Sequence, residues 1–208
     1  LIQRGAKSTG AEREAARGAL ASLPDKDVDT KVLAALDGAK GAERVEYIHA
    51  VWGRRIAPAR PAILKAARED DGAVRVAALT ALERLARTED LGDLIDLLIS
   101  ARTDEERKAA EEAISSTCRR AGDDEKCSDA IAAAMDKASV PGKVVLLRLL
   151  GNLQADAALP VVRGAARSDD ATVKEAAIAA LKKWKPVRIT TWAFSGPYTQ
   201  DGKGPQDL

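Results

Sequence analysis

The strongest constraint on this chain is that it repeats itself. Displaced by 99 residues, the stretch 61–82 lies on 160–181 without a gap and with 11 identities in 22 positions. The matches include Pro61/Pro160, Arg68/Arg167, Val74/Val173, Ala77/Ala176, Ala78/Ala177, Ala81/Ala180 and Leu82/Leu181. Weaker copies fill the interval and precede it. Taking the last apolar anchor of each copy as Leu20, Trp52, Leu82, Ile114, Leu150 and Leu181, the spacings are 32, 30, 32, 36 and 31 residues. A unit of that length holds two short helices and two turns, and such a unit buries its apolar face only by stacking on its neighbours.

Within a unit the apolar residues recur at helical spacing. Val74, Ala77, Ala78, Ala81, Leu82 and Leu85 form one stripe, with Arg75, Glu83, Arg84 and Arg87 largely on the other faces. Asp71, Thr103 and Asp170 stand where an N-cap oxygen meets free amides, and Pro61, Pro141 and Pro160 suit a first helical turn. The reading is about eleven helices, paired as hairpins.

The pattern Val74-Arg75, Ala77-Ala78, Ala81-Leu82, and again Val173-Lys174, Ala176-Ala177, Ala180-Leu181, resembles short bacterial HEAT-like repeats. The resemblance covers roughly residues 10–185, and the long unit at 103–139 lacks the apolar–basic pair. It implies an all-α fold, a right-handed α-solenoid of five to six stacked hairpins over residues 1–185. It also implies that second helices line a concave face that binds other macromolecules, with no common reaction.

Composition narrows the chemistry. One His and two Cys are too few for a four-ligand Cys/His zinc site, and a serine triad would have to use His49. No Gly-rich phosphate loop and no carboxylate–His metal pattern is evident, so neither cofactor nor metal is expected. Charge is balanced overall at +1 and locally, with 17 basic and 17 acidic side chains in residues 1–104 and 16 and 15 in the rest. Nucleic-acid and membrane-surface binders carry a one-sided charge instead. The segment 44–68 is the one local basic excess: Arg44, Arg54, Arg55, Arg60, Lys65 and Arg68, with Tyr47, His49 and Trp52 among them. It reads either as a solvated face with packed aromatics or as a patch for phosphate, carboxylate or an acidic partner. Non-stripe positions assigned to the second helices extend the list of partner-binding candidates to Arg54, Arg55, Lys65, Arg68, Asp93, Asp96, Arg163 and Arg167. Arg68 and Arg167 have a structural alternative, pairing with nearby Asp70 and Asp169.

Cys118 and Cys127 flank a short loop containing Gly122, a natural C-cap, within the longest unit. They read as a disulfide across a helix hairpin, which would place the chain in a periplasmic or exported setting, or as two free thiols in the cytoplasm. After Lys185 the sequence changes. Residues 187–194 are rich in β-branched and aromatic side chains, and four of the six aromatics fall at 184–198. The stretch 186–208 reads as a cap on the solenoid or as the start of a β-rich domain. It is similar to segments that follow HEAT-like repeats in exported bacterial multidomain proteins, and the chain is expected to be a monomeric piece of one.

The function expected from these features is a non-catalytic scaffold with a protein partner and no small-molecule substrate. Nucleic-acid binding in the concave face is one alternative. Pigment handling is another, because short HEAT-like repeats also resemble those of bilin lyases.

Overall fold

The structure, a computed structural model, describes residues 1–24 and 26–184. Among them are twelve α-helices and no strand. They are α1 (Ile2–Lys7), α2 (Gly10–Ala21), α3 (Lys26–Leu36), α4 (Gly41–Arg54), α5 (Arg60–Ala66) and α6 (Gly72–Leu85), followed by α7 (Leu91–Ile99), α8 (Asp104–Ala121), α9 (Asp124–Ala133), α10 (Val140–Leu153), α11 (Leu159–Ala165) and α12 (Ala171–Leu181). Helix starts follow the local chemistry. Asp71 accepts from the amides of Ala73 and Val74 at 2.9 and 3.3 Å, Thr103 from Glu106 at 3.2 Å, and Asp170 from Val173 at 3.0 Å. Prolines 61, 141 and 160 sit in the first turns of α5, α10 and α11. Gly122 ends α8 in the left-handed region that the sequence foresees.

Consecutive helices pair, and the pairs stack in two rows. The even helices form one row: α4 packs along α6, α6 along α8, and α10 along α12. The odd helices pack mainly on their own even partners, and α5 and α7 scarcely meet. Contact is closer along the even row than along the odd one. The stripe residues supply that closeness. Ala78, Ala81, Leu82, Ala110, Ala113, Ile114, Leu146, Leu150 and Ala177 are all at most 2% exposed, and small side chains let backbones approach. At the α10–α12 contact even Ala would be too large, since a Cβ on Gly151 would stand 2.9 Å from Cα and Cβ of Ala180.

Charged residues lock successive units together. Arg13, Arg44, Arg75 and Arg107 occupy equivalent first-turn positions of α2, α4, α6 and α8, and each donates to carbonyls of its own preceding loop. Three of them also reach a carboxylate of the next unit: Arg13 to Glu46 at 3.8 Å, Arg44 to Glu69 at 2.6 Å, and Arg75 to Glu106 at 2.6 Å. The equivalent residues of α10 and α12 are Lys143 and Lys174, which make no such bonds among the described residues. This register corrects the anchor of α4. Seven residues beyond Arg44 lies Val51, fully buried, whereas Trp52 is pushed to a half-buried site beneath Arg84, whose guanidinium lies 4.0 Å from the ring centroid. The unit spacing is therefore 31, 31, 32, 36 and 31 residues.

Candidate functional site: a groove between α8 and α10

Among the described residues the even row is loosest between α8 and α10. Helices α8 and α10 touch far less than their neighbours do, and this is the step where the unit is longest. Arg107 pairs with Asp104 one turn before it. The opening is a groove of about 840 Å³ lined by α8 and α10, with Glu83 of α6 and Thr172 of α12 at its margins. Its apolar side is Val140, Pro141, Val144 and Val145, of which Val140 is one of the few exposed large apolar residues of the molecule.

The rim balances its charges: Arg107, Lys108, Arg119 and Arg148 against Glu83, Asp104, Glu111 and Glu112. Lys108 and Glu112 are exposed and make no ion pair or hydrogen bond among the described residues. Arg119 is held by the Ser116 hydroxyl at 3.0 Å. Burial pushes the Glu111 carboxyl above its ordinary value, against the pull of Arg148 at 3.4 Å. A second cavity of about 530 Å³ continues the groove towards the α8–α9 turn and shares Ser115 and Arg119 with it. The arrangement can hold an extended chain along the α8–α10 seam, with apolar contact below and paired charges at the edges. Among the described residues no group of three or more His, Cys, Asp or Glu is placed to hold a metal, and no helix is long and apolar enough to cross a membrane.

The residues singled out from sequence lie elsewhere. Lys65, Asp93, Asp96 and Arg163 are on α5, α7 and α11, the first helices of their pairs, and Arg68 and Arg167 follow α5 and α11 directly. They belong to the odd row, opposite the groove. The second-helix assignment is thus corrected: the Ala-stripe helices are the second ones, and these residues precede them. Arg68 pairs with Asp93 of the next unit at 2.6 Å, not with Asp70. Arg54 is turned inward, donating to Asp29 and to the carbonyls of Leu20 and Leu23 at 2.9 and 2.7 Å. Arg55 is exposed in the left-handed region as the C-cap of α4. Arg44 is buried, Arg54 is turned inward and Arg60 is bound to Asp90 at 2.8 Å, so half of the basic segment 44–68 serves as clamps, while Arg55, Lys65 and Arg68 are exposed. His49 is half-buried, and desolvation with Arg17 nearby holds its imidazole below the usual range.

Reasoning from sequence missed Lys108, Glu112, Val140, Val144 and Arg148. The available signal was the long 36-residue spacing itself, which marks the place where stacking is loosest.

No protein-family model and no curated protein sequence matches the chain. Among solved structures it is similar to a designed armadillo repeat protein in complex with peptide (KR)4, at 17% identity and TM-score 0.49, over 88% of this chain and 98% of that one. A second designed armadillo repeat protein matches over the same shares at 16% identity and TM-score 0.45. The class is defined by the chain's own two helix rows: it is an α-solenoid of stacked helix hairpins.

Proposed function

We propose that this chain is a non-catalytic scaffold that holds an extended segment of a protein partner along the α8–α10 groove. The observation that carries the reading is the groove itself, with an apolar side formed by Val140, Pro141, Val144 and Val145 and a charge-balanced rim. Val140 and Pro141 are exposed, Val144 is half-buried and Val145 is buried, and apolar surface framed by polar residues is a usual mark of a protein-binding site. The equal numbers of acidic and basic groups favour a polypeptide over a nucleic acid, whose phosphates call for a basic excess. The strand-like sequence at 187–194 supports placing the repeats as one module of a larger exported protein.

A peptide-display selection on the purified chain, followed by titration of the enriched peptide, tests this. Val144→Glu, which puts a charge on the apolar side, is expected to weaken binding at least tenfold. Asp96→Lys, on the odd row, is expected to leave it within twofold. No enriched peptide, or equal affinity for Val144→Glu and the wild type, would overturn the proposal.

A further inference from the structure

Cys118 closes the last turn of α8 and Cys127 opens α9, with the Gly122 turn between them. Both residues are 1% exposed, and each thiol is among the groups that act on the other across the turn. Among the described residues no other thiol competes for either, because the chain has only these two. They stand in the structure as free thiols on either side of the α8–α9 turn, which joins the two units where α8 and α10 part.

We infer that Cys118 and Cys127 are joined by a disulfide in the mature protein, made by exchange with a disulfide oxidant of the glutathione or protein-dithiol class. The thiolate of one cysteine attacks the oxidant's S–S bond, forming a mixed disulfide and releasing one thiol. The second thiolate attacks the bonded cysteine sulfur and releases the other. Two thiols are oxidised, one oxidant disulfide is reduced, and the two thiol protons end on the released thiols.

The surroundings set when this happens. Burial, with the neighbouring sulfur, pushes the Cys118 thiol well above its ordinary range, and burial likewise raises Cys127. Thiolate is the reacting form, so exchange is slow in the folded chain. The bond forms as the α8–α9 turn folds and afterwards resists both oxidant and reductant. It would pin the α8 terminus, since Cys118 lines the cavity continuous with the groove. A bond of this kind belongs to an oxidising compartment.

The test is to refold the full chain in a glutathione redox buffer, then quench by denaturing in excess alkylating maleimide without reductant. The expected result is no label and a mass two hydrogens below that of the reduced chain. Melting should then fall by about 5 °C or more on full reduction, as for a cross-link closing a short loop. The double variant Cys118→Ser with Cys127→Ser should melt at one temperature with or without reductant. Two labels per chain, or two glutathione adducts, would overturn the inference. The labelling uses the wild-type chain, so it stands even if the variant fails to fold.

Discussion

Arg75 shows how much one residue of the repeat does. Its guanidinium donates to Glu106 at 2.6 and 3.1 Å and to the carbonyls of Glu69 and Asp70 at 2.9 and 2.7 Å. Only a planar fork reaches all three at once. Arg75→Ala leaves Glu106 buried without its cation and is expected to cost about 3 kcal/mol in urea unfolding. Arg75→Lys should recover only part of that, and a fully stable Arg75→Ala would contradict the clamp. Burial opposes ionisation of Glu106, yet the Arg75 hydrogen bonds and the Arg102 amide prevail and hold its carboxyl below the ordinary 4.5. A depressed pKa contributes stability above the unfolded value that is lost as pH falls through the folded one. Glu106 therefore adds acid lability below about pH 4.5. The depressed His49 adds its share as pH falls below about 6.5, because the unfolded chain then takes up the proton more readily. Thermal melts should lose stability from pH 7.5 to 5.5, and His49→Gln should flatten that slope. An unchanged slope in the variant would exclude His49 as its source.

At the scale of the helix, close approach is the organising device, and two glycines separate its effects. Gly151 meets Ala180 backbone to backbone, so Gly151→Ala is expected to cost about 2 kcal/mol by forcing α10 from α12. Gly18 in α2 has nothing within 4 Å of an added Cβ, so Gly18→Ala should gain about 0.5–1 kcal/mol from helix propensity alone. Melting both variants checks the pair. The helices themselves were legible in the sequence, because the stripe Val74–Leu85 and the caps Asp71, Thr103 and Asp170 are local signals that the fold does not override. The α4 register was not: Trp52 imitates an anchor, but the Arg44 clamp sets the phase and makes Val51 the buried residue. Partners for the arginines were also hidden. Arg44, Arg60, Arg68 and Arg75 bind carboxylates 25 to 31 residues away, a spacing visible only once the units stack.

For the whole molecule, regularity and its interruption carry different information. Regular stacking, legible as a period near 31, accounts for the solenoid and its two rows. The candidate site comes from the interruption. Where the period stretches to 36 residues, α8 and α10 part and leave Val140 and Pro141 exposed at the groove. Sequence analysis registered the long unit without seeing that it would open a groove, because separation between helices has no residue signature of its own. The sharpest test is hydrogen–deuterium exchange of the chain with and without a display-selected peptide. The account predicts slowed exchange confined to 104–119 and 140–153, the walls of the groove. Protection centred on α5, α7 and α11, with α8 and α10 unchanged, would contradict it.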